Sequence, residues 1–478
     1  MNVYEKIRII TDDKKGSKTM RVGNIEVNVK KTPVLEPEFV PMGLYMDAFE
    51  KNATEPFAIA VYRENGNVSV YDTKIYGTEE YFEDDCTYAE RILKFMLWAA
   101  GGYKVAVCGN AKVFAALADL YKRGGRQNFD VKTMSDVYEN EFEIVNIAYE
   151  EKPEPKSSPK SVGGYVDGCR IGFDAGGSDM KVSAVVDGEV IYSEEIVWLP
   201  KVNTDPDYHL TNIVAAMKKA AEKMERVDAI GISSAGIYVN NRTMLASLFL
   251  AVSPEDFEAK IKDIYKNACA QVGETIPYEV ANDGDVSALA GAMDLKDNRV
   301  MGLAMGTSEA VGYVDASGNI TGMLNELAFA PIDVNPDAPL NSWSGDKGVG
   351  SDYLSQDAVI RLAPRANITL DEELTPAQKL KVAQKLANEG DPAALSIFES
   401  IGAYLAHAIG TYAHFYDIAH LLLLGRVSSG KGGDLLVETC VNTLKEEYPQ
   451  LNVNVELPDE MARRVGQSIA AASLVKLG

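Results

Sequence analysis

Four apolar stretches of the chain run into glycine turns, and this pattern limits the possible fold more than any other feature. CRIGFDAGG, VDAIGISSAG, RVMGLAMG and HLLLLG each read as a strand ending in small residues. Long helical stretches lie between them, among them AALSIFESIGAYLAHAIGTYAHFYD. Strands that end in glycine loops and alternate with helices predict an α/β architecture. The first strand is followed by KVSAVVDGEVIYSEEI, where Asp187-Gly188 marks a hairpin turn.

A segment of different character precedes this pattern. Residues 150–164 read EEKPEPKSSPKSVGG, rich in proline, lysine, serine and glycine, with nothing to bury. It predicts a linker that separates a mixed α/β N-terminal domain, residues 1–149, from a module covering 165–478. In the first part, PFAIAVYRENGNVSVYDTKIYG alternates around Asn65-Gly66 as a hairpin does. AERILKFMLWAAG has helical periodicity, KVAVCG reads as a buried strand, KVFAALADLYKRGG as a helix and FEIVNIAYE as a last strand. NIEVNVKK is expected at a sheet edge. No motif with chemistry is evident there, and dimerisation or structural support is its expected role.

Composition removes several function classes. The 478 residues are 46% hydrophobic and 24% charged, the balance of an ordinary globular protein with sizeable cores. The net charge of -23 repels nucleic-acid phosphates and anionic membranes, so neither is an expected partner. The five cysteines, Cys86, Cys108, Cys169, Cys269 and Cys440, are far apart and form no metal-type pair. The chain begins MNVYEKIRIITDDKKG, without a signal-peptide core, and a membrane-spanning run is not expected. The expected location is the cytoplasm.

The glycine turns carry the candidate chemistry. Asp174-Ala175-Gly176-Gly177-Ser178 lets backbone N–H groups approach phosphate oxygens, with Ser178 as a further donor and Asp174 placed to hold Mg²⁺ through water. A plain tight hairpin explains the same residues. Asn282-Asp283 stands at a strand end before the helix VSALAGAMD, where Asp283 can take a proton from an acceptor hydroxyl. Helix capping is the ordinary role of such a pair. Gly306-Thr307 can cradle a second phosphate, and the loop from Gly425 to Gly430 an adenosine; both also suit ordinary turns.

In this order and spacing the motifs resemble the ROK family of repressors and sugar kinases, over about 165–478. The resemblance implies a two-lobed actin-like ATPase (ribonuclease-H-like) module, with an N-lobe at 165–290 and a C-lobe at 291–478. It implies ATP and Mg²⁺ as cofactors, a small-molecule sugar as ligand and a homodimer as assembly. Asp174, Gly176, Gly177, Ser178, Lys181, Gly306, Thr307, Gly425 and Gly430 would hold the nucleotide, and Asp283 would be the base. Ser234, Gly236, Asn282, Glu326, Phe329 and Asp352 fall at sugar-side positions. The implied function is phosphorylation of a hexose or hexose-like sugar, the alternative a sugar-binding sensor or scaffold that has lost efficient catalysis.

Departures from the family pattern are clear. Ser342, Ser344 and Val349 stand where the family has a cysteine zinc loop, and Phe329 stands in place of a histidine. No structural zinc is expected, because its coordination needs thiolates or imidazoles. Glu309 follows Gly306-Thr307-Ser308 and Asp179 follows the first loop, adding negative charge where phosphates would lie.

Overall fold

A computed structural model describes residues 8–12, 17–157, 162–177, 179–458 and 460–477. The glycine-ended strands form two related sheets. In the N-lobe the order is Glu189–Val197, Asp179–Val186, Cys169–Ala175, Ala229–Ser234 and Tyr278–Asn282. The first three are antiparallel, and the last two run parallel to Cys169–Ala175. In the C-lobe the order is Glu309–Val314, Val300–Met305, His420–Leu424 and Asn454–Glu456, again a hairpin followed by parallel strands. This repeat is the two-lobed actin-like module, and parallel strands with helical crossovers explain why each strand is apolar along its length.

Helices cover both faces of the N-lobe sheet. Pro206–Ala221 and Ile264–Val272 bury Ile213, Met217, Ile264 and Ala268 against Ile171, Phe173 and Ile230. The helix Glu460–Ala472 returns from the C-terminus to the opposite face. There a Cβ on Gly231 would stand 1.7 Å from the Ala471 carbonyl oxygen, so this strand needs glycine for the helix to approach. The helix Pro392–Tyr412 is long and apolar enough by composition to cross a membrane, which the sequence pattern does not lead one to expect. In the fold, 78% of its most apolar window is buried.

The N-terminal region is built as its pattern predicts. Glu55–Tyr62 and Val68–Ile75 pair as a hairpin, with Asn65 (φ 57°) and Gly66 (φ 71°) supplying the left-handed turn residues. Lys104–Cys108 and Glu143–Ile147 extend this sheet, and Phe82–Ala99, Ala111–Leu120 and Asn128–Tyr138 are helical. Ile25–Val29 is the edge strand of a separate three-stranded sheet.

This region shares one continuous apolar cluster with the C-lobe. Phe39 lies 5.2 Å from the ring of Tyr353 and 5.0 Å from that of Tyr404. Phe95 stacks on Phe415 at 3.9 Å. Of the predicted linker, residues 158–161 lie outside the described residues. Lys156 pairs with Val68 as a β-bridge, and Val162 is buried.

Candidate active site

Strand register brings the N-lobe motifs to one edge. Asp174 lies opposite Ser233, and Ser234 lies opposite both Ala175 and Asn282. The Ser233 hydroxyl donates to Asp174 Oδ1 at 2.6 Å. Burial is the main cause of a raised Asp174 carboxyl pKa. Gly176 and Gly177 follow at the open end of the strand, and Ser178 lies outside the described residues.

Asn282 ends its strand and caps the helix Asp283–Leu295. Its Oδ1 accepts from Gly284 N at 2.7 Å, and its Nδ2 donates to Gly236 O at 2.8 Å. Capping and a cleft position therefore coexist in one residue. Asp283 is partly exposed, and its carboxyl is pushed up to about 6 by desolvation and then by the charge of Asp174. Glu326 is raised to about 7 by desolvation and by the charges of Asp283 and Asp285. Asp285, two residues on, is buried and also raised to about 7. Its Oδ1 accepts from Tyr313 N and Asn325 Nδ2.

Other sugar-side candidates are held by the protein itself. Ser234 is fully buried, and its hydroxyl oxygen accepts from Tyr238 and Tyr265, both at 2.7 Å. Phe329 packs 4.6 Å from Trp98 and 5.3 Å from Phe129, both in the N-terminal region. Asp352 Oδ1 accepts from Asn341 Nδ2 at 3.2 Å, its Oδ2 is buried without a partner, and its carboxyl rises to about 6 on burial.

The segment bearing Glu326 is fastened to the N-terminal region. Asn325 N and Glu326 N donate to the carbonyls of Ala99 and Trp98, both at 2.9 Å. These carbonyls end the helix Phe82–Ala99 and would otherwise need other donors. The loop with Ser342, Ser344 and Val349 is held by charge. Asp346 Oδ2 accepts from Arg91 at 2.8 Å and lies 3.3 Å from Lys94 Nζ, and these cations hold its carboxyl well below the usual range. Lys94 also pairs with Asp130 at 2.8 Å, with neither side chain exposed.

In the C-lobe loops, Gly306 and Gly425 are neighbours. A Cβ on Gly425 would lie 2.3 Å from Met305 O, so the two loops close only over glycine. Gly430 opens the helix Gly430–Glu447 in a left-handed conformation (φ 71°). Thr307 is exposed at the loop tip. Glu309, expected to face a phosphate, points away from the loop instead. It is 3% exposed and accepts from Tyr412 Oη at 2.7 Å. Its Oε2 lies 2.1 Å from where Gly350 would carry a Cβ, and desolvation raises its carboxyl to about 8. Asp179 stands 3.8 Å from Lys181 Nζ.

A lysine outside the sequence motifs stands beside the N-lobe glycine loop. Lys201 Nζ lies 3.2 Å from where Gly177 would carry a Cβ. Its turn is tied to the loop by Trp198 Nε1, which donates to Gly176 O at 2.8 Å. No ion pair engages Lys201 among the described residues.

A family model for ROK matches residues 170–471. The chain belongs to the ROK family. Solved structures of the family are similar to this chain. A ROK family transcriptional regulator, described as a homolog of the E. coli MLC protein, superposes with a TM-score of 0.51 at 17% identity, over 64% of this chain and 78% of its own. The ROK hexokinase from Thermus thermophilus gives 0.49 at 16%, covering 63% and 97%. A ROK glucokinase from Streptomyces griseus, in complex with glucose and AMPPNP, gives 0.45 at 20%, covering 63% and 98%. A comparison with curated proteins finds no match. The ROK match begins beyond the N-terminal region, whose contacts to Phe329, Glu326 and Asp346 therefore lie outside it.

Proposed function

We propose that this ROK protein transfers the γ-phosphoryl group of ATP to a hydroxyl of a hexose or hexose-like sugar. The observation that carries this reading is the setting of Asp283. A carboxyl raised to about 6, partly exposed at the edge shared with the first glycine loop, is ionised at neutral pH and still basic enough to accept a proton.

Phosphoryl transfer asks a protein mainly for positioning and charge. In this reading the backbone of Gly176 and Gly177 and the Lys201 ammonium hold phosphate oxygens on the N-lobe side. Gly306 and Thr307 do so from the C-lobe, and the Gly425–Gly430 loop holds the nucleoside. Asn282, Glu326 and Asp352 face the acceptor. Asp283 takes the hydroxyl proton as the oxygen bonds to phosphorus and ADP departs with the electrons of the broken bond. Asp174 suits a metal held through water, since one of its oxygens is occupied by Ser233 and the other has no donor among the described residues. Bound Mg²⁺ would neutralise charge on the phosphates. The inward side chain of Glu309 supports nucleotide binding, because it removes the like charge the sequence had suggested. A homodimer is the proposed assembly, to be checked by light scattering.

A coupled ADP-release assay against a sugar panel tests the activity. No turnover with any sugar, or full turnover in Asp283→Asn, sinks it. Phe329, packed against Trp98 where the family has histidine, favours the second reading of a sugar sensor. Calorimetry separates the two, since a sensor binds sugar and leaves Mg-ATP unbound.

A further inference from the structure

The N-terminal region reaches the catalytic edge at one place. The turn holding Glu64 and Asn65, together with Tyr138, faces Gly236, Asn282 and Asp285 across a cavity bounded by the N-terminal region and both lobes. Asn65 Nδ2 donates to Asn240 Oδ1 at 3.2 Å, which fixes the turn against an N-lobe hairpin. The left-handed φ of Asn65 aims the turn there.

The cavity has a definite chemical preference. Among the described residues no lysine, arginine or histidine lines it, while Glu64 and Asp285 do. Glu64 Oε2 is buried without a hydrogen-bond partner. Asp285 is 5% exposed and makes both of its hydrogen bonds through Oδ1, which leaves Oδ2 without a donor among the described residues. Buried polar atoms are normally satisfied, so two open carboxylate oxygens on one polar cavity call for an occupant that brings donors. Hydroxyl and ammonium groups are such donors, while an anionic group would set like charge against Glu64, with Arg63 bound to Gly322 O as the one cation behind the wall among the described residues. The cavity wall is also the back of the catalytic turn, because Asn282 lines it and its amide joins Gly236 to Gly284.

We propose that this cavity is the outer compartment of the acceptor site, and that Glu64 with Asp285 selects a polyhydroxylated acceptor that is uncharged or bears an amine. The inference rests on the acceptor reading given above, and it gives the N-terminal region a part in choosing the substrate.

The test is calorimetry on the full chain with glucose, glucosamine and glucose 6-phosphate, for the unaltered protein, Glu64→Gln and Glu64→Ala, after confirming equal melting temperatures. The unaltered protein should bind glucose or glucosamine and reject the phosphorylated sugar. Glu64→Ala should weaken that binding by about tenfold or more, the cost of a hydrogen bond to a charged group. Glu64→Gln should lose more affinity for glucosamine than for glucose, and AMPPNP binding should not change. Sugar affinity within about twofold in Glu64→Ala, preference for glucose 6-phosphate, or no binding of any probe overturns the proposal. Turnover on the same samples keeps the two readings apart. Loss of sugar affinity in Glu64→Ala without phosphoryl transfer by the unaltered protein sinks only the kinase. Transfer with unchanged affinity sinks only this inference.

Discussion

The N-terminal region meets the two lobes through different chemistry. Its seam with the C-lobe is dry. Phe39 packs on Tyr353 and Tyr404, and Lys94, with no exposed side chain, lies 3.3 Å from Asp346. Asp333 accepts from Val40 N at 3.0 Å and Tyr353 Oη at 2.6 Å. Its seam with the N-lobe buries Ile237 and Met244 but also carries exposed ion pairs. Glu139 pairs with Arg242 at 2.6 Å and Lys262 at 2.7 Å, and Glu139 is 41% exposed. Buried, interlocked contacts open only with unfolding, whereas exposed ion pairs exchange readily with water. The N-terminal region is thus part of the C-lobe body, and opening of the cleft would run along the N-lobe seam.

The strongest way to break this comparison is at Lys94. Lys94→Met leaves Asp130 and Asp346 buried with one cation fewer, and should cost about 3–5 kcal/mol in urea unfolding. A loss below about 1 kcal/mol would mean that the seam is not a single buried unit.

Glu309 probes the same body from inside. Its carboxyl is raised from an ordinary 4.5 to about 8, so it is neutral when folded and ionised when unfolded between those values. Stability from this group therefore falls as pH rises from about 4.5 to 8, by at most about 1.4 kcal/mol per pH unit. Glu309→Gln should melt with the native protein near pH 4.5 and above it at pH 8. Equal melting at both values would mean that Glu309 is ionised in the fold.

Glu139 gives the smallest effect. Glu139→Gln should change unfolding free energy by about 0–1 kcal/mol, and less in high salt. Small-angle scattering of the sugar-free protein should show the cleft opening further. A loss as large as that of Lys94→Met would make the two seams alike.

Much of each lobe was legible in the sequence, because strands, turns and caps are local. Asn65-Gly66 and Asp187-Gly188 announced hairpins through residues that tolerate positive φ, and all four adopt it. Asn282 announced a helix start and caps one. The dry seam could not be read this way. Val40 and Asp333 are 293 positions apart, and no local pattern links them. Glu309 was misjudged because a charged residue after Gly306-Thr307-Ser308 reads as loop, whereas it is the first residue of a strand whose alternation turns it inward and Ala310 outward. Lys201 lies in a single 3-10 turn, Pro200–Val202, that no sequence pattern marks, and the Trp198 hydrogen bond brings it to Gly177.

The central claim, that Asp283 takes the acceptor's proton in a ROK phosphoryl transfer, is tested most directly by Asp283→Asn with binding and turnover measured on the same sample. Sugar and AMPPNP affinities should stay near those of the unaltered protein while kcat falls about a hundredfold to ten-thousandfold. Turnover within about tenfold of the unaltered protein, with binding intact, would contradict it.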